Sequence, residues 1–408
     1  MKENQFLSLN QRAIRRLLKN KPAVFGILLI AFAFLVALMG YWIAPDSSPN
    51  ANEQIAEVAL KDPGFNVLIL AVRKNRDIEN NNIFHTLAFG QVNPNRLVPI
   101  NAYQFKEDSI EVELYMGEDI ETQQLLKGKK RLFHLADVAY AIQANQVVRK
   151  ENENIAFVQV DGQQQHRPIK SLQNQVEQNH LFRRTFYLGT DRFGRSMLSR
   201  LILGVRVSLF VGCIAVFISL TIGILLGALA GYFGGKTDDL IMLLINTVWS
   251  IPTLLLVFAI VLALGRGIGI IFLAVGLTMW VDVARIVRGQ LKTFRSIQFV
   301  EAAQSMGFST WRVIVRHILP NILGPVMVIA AANFATAILI EAGLSYLGFG
   351  IQPPTPSWGT MLNENYGYAI GGKPFLALVP ALAIMMMVLA FNLVGNGFRD
   401  ALDIKIKT

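Results

Sequence analysis

The sequence has little charge and almost no cysteine. Of its 408 residues only 16% are charged, against about 25% in an ordinary soluble protein, and 53% are hydrophobic. Four of its five histidines, His85, His134, His166 and His180, have spacings that match no metal-ligand pattern. There is no Ser-His-Asp set or carboxylate pair to suggest catalysis, and no internal repeat. The low charge excludes an ordinary soluble domain, and the absent constellations argue against an enzyme.

The apolar residues are concentrated in long runs. They predict six membrane spans, at 23–44, 207–233, 240–265, 267–281, 318–340 and 375–398. A helix over the first run is about 33 Å long, enough for a bilayer core of roughly 30 Å. This run exceeds the apolar core of a signal peptide, and no A-x-A site follows, so we interpret it as a retained span. The run at 267–281 is the shortest, with Arg266 and Asp282 at its ends.

The basic residues near the span ends predict the orientation. Residues 1–22 contain six Lys or Arg against one Glu, and 282–317 contain six against two acidic residues. Since cytoplasmic segments carry the excess of Lys and Arg, both segments and the C-terminus should be cytoplasmic. Within 8–20 the basic residues share one helical face, which predicts an amphipathic helix beside anionic lipid. Six arginines at 183–206, on the side that this orientation places outside, argue for the opposite orientation. Long translocated loops, however, largely escape the preference of Lys and Arg for the cytoplasmic side.

The region between the first two spans has a different composition. Residues 45–186 are rich in Asn, Gln and charge, and they predict a small α+β domain outside the membrane. The predicted elements are strands at 65–72, 110–116 and 155–160, a turn at Asp161-Gly162 and a helix at 132–148. Because the only cysteine is Cys213, inside the second span, this domain must fold without disulfides.

A short motif between the fourth and fifth spans has the properties of a docking element. Glu301 favours the start of a helix through the dipole, and Ala302 and Ala303 are small enough for another surface to approach the backbone. Gly307 can end the helix in a left-handed conformation, and Ser309 can cap the next helix. The spacing is E-A-A-x-x-x-G.

This segment resembles the EAA loop of the membrane subunits of ABC importers. Its flanks at 187–404 resemble the C-type permease of the dipeptide and oligopeptide transport family, and 8–44 resembles it loosely. The matching motifs are LGTDRFGR at 188–195, GYFGG at 231–235, LSYLGFG at 344–350, PPTPSWG at 353–359 and RDALD at 399–403.

Four positions depart from the family pattern. Leu243 and Asn246 stand where the family often has Arg and Asp, and we interpret the joint loss as avoiding an unpaired buried ion. Asn396 replaces an Asp, and Ile404 a Pro. The 45–186 domain lies outside the resemblance.

The resemblance implies an all-α polytopic protein with six transmembrane helices, the type I ABC importer permease fold, carrying an inserted extracytoplasmic α+β domain. It implies a bacterial cytoplasmic (inner) membrane location with both termini cytoplasmic, and permease function for di- or oligopeptides. The implied partners are a second permease subunit, two ATP-binding subunits, an extracytoplasmic solute-binding protein and membrane lipid, with no nucleic acid. This chain would bind no cofactor, since ATP-Mg belongs to the partner subunits, and 282–317 would be the coupling loop.

Several alternatives remain open from the sequence. The solute could be nickel or another small molecule. A secondary transporter would place more charge within its spans, and a membrane-anchored sensor or enzyme would need reactive groups in 45–186. Residues 230–237 satisfy a relaxed P-loop pattern, but they follow a membrane span and predict a short turn. Glu341 is a candidate pathway or gate residue, with a water-exposed interfacial carboxylate as the equal alternative.

Overall fold

The computed structural model describes residues 9–78, 82–118, 125–143, 148–265 and 267–402. They divide into two compact units: unit 1 comprises residues up to 38, 204–363 and from 377, and unit 2 comprises 39–203 and 364–376. The helices are α1 (Leu9–Lys19), α2 (Lys21–Ile43), α3 (Ile83–Phe89), α4 (Leu135–Ala139), α5 (Ile169–Asn179), α6 (Met197–Phe233), α7 (Gly235–Trp249), α8 (Thr253–Leu264), α9 (Ile268–Arg295), α10 (Gln298–Ser305), α11 (Thr310–Arg312), α12 (Leu319–Tyr346), α13 (Trp358–Ile370) and α14 (Phe375–Leu402). The strands are β1 (Phe65–Arg73), β2 (Asn95–Lys106), β3 (Ser109–Leu114), β4 (Lys130–His134), β5 (Arg149–Glu151), β6 (Asn154–Val158), β7 (Gln164–Pro168) and β8 (Leu181–Phe186).

Five helical stretches in the described part are long and apolar enough to cross a membrane, and α7 with α8 adds a sixth if that pair is one span. The predicted third span, 240–265, is not one straight helix, because α7 and α8 meet at 90°. Pro252 starts the second of them and has no N–H with which to continue the first. Helix α9 continues to Arg295, so the predicted fourth span, 267–281, is too short, and the first part of the 282–317 loop is helix. Helix α6 begins at Met197, well before residue 207.

The core of unit 1 is built around α9, which packs against α7, α8 and α12. Helix α6 approaches α9 through Gly223, Gly227 and Gly231, which share one face at a spacing of four residues. A Cβ atom at these positions would lie 2.7, 2.5 and 2.7 Å from a backbone oxygen of α9; the oxygens belong to Trp280, Ala284 and Arg288. Only glycine allows this separation, as is usual where membrane helices associate through small residues.

Unit 2 contains two antiparallel sheets. The larger has the order β4-β3-β2-β1-β8, and the smaller has the order β5-β6-β7. Buried side chains of β2, β3, α4 and α5 form the main core, including Ile100, Ile110, Leu135 and Leu172. The chain enters and leaves the larger sheet on adjacent strands, since Phe65 of β1 pairs with Phe186 of β8. That this domain lies outside the membrane stays a prediction.

The predicted strands occur at 65–73, 109–114 and 154–158, and Gly162, with φ of +82°, lies in the turn that joins β6 to β7. Residues 144–147 lie outside the described residues, and over the rest of the predicted helix at 132–148 only Leu135–Ala139 is helical. The first residues of the predicted helix form β4, and α4 ends at Ala139, because Tyr140 is extended. His134 starts α4 by accepting a hydrogen bond at Nδ1 from Ala136 N. The helical spacing of the apolar residues therefore arises from this short helix. After the helix, Ile142 forms an antiparallel bridge with Gln159.

Four charged side chains are buried together in unit 2. Arg195 and Arg200 each contact both Asp191 and Glu364, at N–O distances of 2.6 to 2.8 Å, and all four residues are at most 7% exposed. Asp191 also accepts hydrogen bonds from the backbone N–H groups of Phe193 and Arg195. The two positive and two negative charges balance. Removal of one carboxylate would leave a buried arginine uncompensated.

We expect Glu364→Gln to lower the free energy of unfolding by about 3–5 kcal/mol, the usual effect of breaking a buried ion pair. The matched control is Asp62→Asn, which breaks the pair between Asp62 and Lys373 in the same unit. Asp62 is 66% exposed there, so the loss should be at most about 1 kcal/mol. Thermal unfolding in detergent measures both, and equal losses of thermal stability would contradict the assignment.

Candidate functional site

Helix α10 carries the E-A-A motif and ends in a Schellman turn. Gly307 has a φ of +78°, and its N–H donates to Gln304 O at 2.9 Å. The N–H of Phe308 donates to Ala303 O at 3.2 Å, which completes the pattern. The predicted left-handed glycine at the end of this helix is confirmed. A Cβ atom at Gly307 would meet nothing within 4 Å, so the requirement for glycine is one of backbone conformation alone.

The two alanines of the motif have different environments. Ala303 is 2% exposed and belongs to the core that includes Val300, Val313 and Ile318. The methyl group of Ala303 packs inside unit 1, so its side chain is not part of the exposed surface of this helix. Its role in coupling stays a prediction. Glu301 and Ala302 are exposed on the same helix. The accessible part of the motif thus consists of Glu301, Ala302 and the glycine turn.

The chain after this turn is irregular. Ser309 occupies the N-cap position of α11, but its side chain makes no capping hydrogen bond, so the predicted cap is wrong. A π-helical turn over Val313–Ile318 then leads into α12, near whose start Pro320 lies. Proline has no N–H to donate to the carbonyl four residues earlier, and the widened turn occurs just before it. The rings of Phe308 and His317 stack with their centroids 5.7 Å apart, so the two ends of this segment are in contact.

One tyrosine links α10 to α6. Tyr232, near the end of α6, accepts a hydrogen bond at Oη from Gln304 Nε2 at 3.0 Å, and the Arg295 guanidinium lies 5.8 Å from its ring centroid. Tyr232 belongs to the 230–237 segment with the relaxed P-loop pattern. The segment joins two helices, α6 and α7, and follows no strand. Its geometry agrees with the short turn that the sequence predicts.

The start of α7 is tied to α9 by charge. Asp238, which is 6% exposed, accepts hydrogen bonds from Arg288 Nη2 at 2.8 Å and from Lys292 Nζ at 2.7 Å. Leu243 is 63% exposed and Asn246 is also exposed, so a charge at either position would not be buried within this chain. This exposure gives no support to the interpretation that the joint loss of Arg and Asp avoids an unpaired buried ion.

Three large apolar side chains near the motif are exposed, and the sequence pattern alone does not indicate this. Phe299, Met306 and Trp311 are 40%, 66% and 63% exposed. Aromatic residues and methionine are enriched in protein interfaces. Phe299 and Met306 lie on a short segment outside the candidate membrane spans, and this position is the signal that the sequence offers for their exposure.

Glu341 lies close to the end of α12 and is fully buried. The alternative that its carboxylate is exposed to water at the interface is therefore wrong. Its Oε1 accepts a hydrogen bond from Ser345 Oγ at 2.7 Å, and Ser345 Oγ accepts one from Ile351 N at 3.0 Å. Glu341 thus helps to hold the chain that follows α12. Within the described ranges, no group of three or more His, Cys, Asp or Glu side chains is placed to hold a metal ion.

Comparison with known proteins places these features in a family. The family described as "Binding-protein-dependent transport system inner membrane component" matches residues 223–408, and "N-terminal TM domain of oligopeptide transport permease C" matches 8–63. A glutathione transport system permease protein of Pectobacterium atrosepticum is 40% identical over 222 residues, which are 54% of this chain and 73% of that protein. An oligopeptide transport system permease protein of Haemophilus influenzae is 42% identical over 219 residues, which are 54% and 70% of the two chains.

A dipeptide transport system permease protein of Bacillus subtilis is 38% identical over 235 residues, 58% of this chain and 73% of that protein. Among solved structures, an inward-facing methionine ABC transporter covers 50% of this chain and 97% of its own, with 19% identity and a TM-score of 0.43. The matched relatives and the apolar helices identify an integral inner membrane protein. The chain belongs to the ABC permease family of binding-protein-dependent transport system inner membrane components, within its oligopeptide permease branch.

Proposed function

We propose that this chain forms half of the translocation pathway of an ATP-driven importer of dipeptides or oligopeptides. The observation that carries the proposal is 38–42% identity, over at least 70% of their length, to permeases named for dipeptides, oligopeptides and glutathione. These names favour peptides over nickel or another small solute. The exposed EAA helix also argues against a secondary transporter, which would have no ATPase to contact.

The proposed assembly contains a second permease subunit, two ATP-binding subunits and an extracytoplasmic solute-binding protein. This chain catalyses no reaction and binds no cofactor, because ATP-Mg belongs to the ATP-binding subunits. Glu301, Ala302 and Gly307 contact an ATPase, while Ala303 supports them from inside. The Gln304–Tyr232 hydrogen bond connects α10 to α6, so a displacement of α10 reaches the membrane helices through a short path.

We also propose that both termini and the EAA helix are cytoplasmic, and that Glu341 acts at an outer gate by holding the segment after α12. The arginines at 183–206 had argued against this orientation. Two of them, Arg195 and Arg200, are paired with Asp191 and Glu364, which weakens that objection.

The coupling role predicts opposite effects for two substitutions of one glycine. Gly307→Val should abolish uptake of a labelled dipeptide but not membrane insertion, since a β-branched residue opposes the left-handed turn by roughly 1–2 kcal/mol or more. Gly307→Asn should retain uptake, because asparagine tolerates this conformation. The matched control is Gly289→Val in α9, where a Cβ atom would also meet nothing within 4 Å and no positive φ is required.

Uptake is measured in intact cells with excess unlabelled peptide or nickel as competitor. Competition by nickel but not by peptide would contradict the substrate. Normal uptake by Gly307→Val at normal expression would contradict the coupling role.

The orientation predicts which exposed positions an impermeant thiol reagent can reach. In a Cys213→Ala background, Gln164→Cys should be labelled in intact cells, and Ser309→Cys only after the membrane is opened. Both side chains are exposed in the structure, so burial does not explain a difference between them. The reverse pattern would show that the orientation is wrong.

We propose that the inserted domain contacts the solute-binding protein or the partner permease. The alternative is a passive insertion, which long loops tolerate. Ile69 pairs with Phe182, so Leu70–Leu181 can be replaced by Asn-Gly to leave a two-residue hairpin. This replacement removes Tyr115 from one buried cluster but retains Ile55, Val58, Val67 and Phe186, and it deletes no residue of the buried ion cluster.

The shortened protein should show weaker stimulation of the ATPase by the loaded binding protein, or loss of assembly with the partner permease. Both are measured on the purified complex in nanodiscs, with Glu364→Gln as the control for damage to unit 2. Assembly and transport at the wild-type rate would mean that the domain is a passive insertion.

A further inference from the structure

An apolar cavity of about 390 Å³ lies in unit 1 between α2, α6, α12 and α14. Its walls are formed entirely by apolar side chains, including Ile27, Ala31, Ala330, Phe334, Phe391 and Phe398. Phe334 and Phe391 stack with their centroids 3.8 Å apart, which makes part of the wall flat and rigid. The volume falls within the roughly 300–1,000 Å³ of ligand sites. Without polar groups the cavity offers no partner for water.

The cavity extends from near the ends of α2 and α14 toward the middle of these helices. Ile27 and Ala31 follow the first residue of α2 by about 9 and 15 Å at the helical rise. Phe398 and Phe391 precede the last residue of α14 by about 6 and 17 Å. Half of the hydrocarbon core is roughly 15 Å thick. An acyl chain whose headgroup lies at the ends of these helices therefore reaches the cavity.

The same helix ends carry positive charge. Leu17 of α1 packs against Ala23 and Ala401, with Ile27 and Phe398 beside it, and these last two residues also line the cavity. Exposed basic side chains surround this contact; they are Arg15, Arg16, Lys19, Lys21 and Arg399. Asn20 fixes the junction of α1 and α2 by donating to Asp400 at 3.1 Å. An apolar chain site thus lies below a cluster of basic residues.

We propose that this site binds an anionic phospholipid, with one acyl chain in the cavity and the phosphate beside Lys19 and Lys21. Affinity for the headgroup comes from the basic residues. Specificity for the chain comes from packing, because an unfilled cavity forfeits dispersion contacts on its walls. The occupant locks α1 to α2 and α14, so the lipid is a structural ligand of the permease.

Native mass spectrometry of the whole complex tests the site, with phosphatidylglycerol and phosphatidylcholine as probes. The double variant Lys19→Gln/Lys21→Gln should bind phosphatidylglycerol about 30-fold more weakly, from the usual contribution of two basic residues near anionic lipid. Lys127→Gln/Lys129→Gln, with the same loss of charge in unit 2, should leave the affinity unchanged. Ala31→Phe should fill the cavity and weaken binding about tenfold, whereas Ala37→Phe on the same helix should not.

Wild-type phosphatidylglycerol affinity in both the lysine and Ala31 variants would overturn the proposal. So would equal losses in the variants and their controls. Density for a helix of the partner permease inside the cavity, in a map of the complex, would also overturn it. A preference for phosphatidylglycerol that only the lysine and Ala31 variants lose supports the site.

Discussion

The close approach of α6 to α9 is the contact on which the rest of unit 1 depends. The glycine stripe at 223, 227 and 231 brings the two backbones together, and no larger side chain fits there. Helix α9 also packs against α7, α8 and α12, and only two residues separate its end from the start of α10. Because the Tyr232 hydrogen bond joins α10 to the end of α6, the EAA helix is attached to both α6 and α9. Movement of α10 alone would break this attachment.

The two ionic clusters differ in exposure and in charge balance. Asp238 receives two cations, Arg288 and Lys292, and the side chain of Lys292 is 46% exposed. The cluster of Asp191, Arg195, Arg200 and Glu364 is neutral and almost fully buried. Burial of ions costs several kcal/mol each unless each is paired. The first cluster therefore fits a boundary with water, whereas the second fixes the start of α6 relative to α13.

Local features could be predicted from the sequence, and distant contacts could not. The turn at Gly162 and the left-handed Gly307 depend on neighbouring residues, so a short pattern was enough. The partnership of Arg200 with Glu364 joins residues 164 positions apart, and no local pattern indicates it. Similarly, Ala302 and Ala303 look equivalent in the motif, and only the packing of Val313 and Ile318 decides which is buried. The failure over the described part of 132–148 arose because five residues of helix gave the periodicity expected of a longer one.

The pairing of Phe65 with Phe186 has an evolutionary consequence. A segment whose first and last strands are neighbours returns the chain to the place it left, so its acquisition or loss requires no adjustment of the flanking helices. The N-terminal family match ends at residue 63, immediately before β1. Lineages of this permease family could therefore exchange the domain as a unit. Selection on the domain could then proceed separately from selection on the membrane helices.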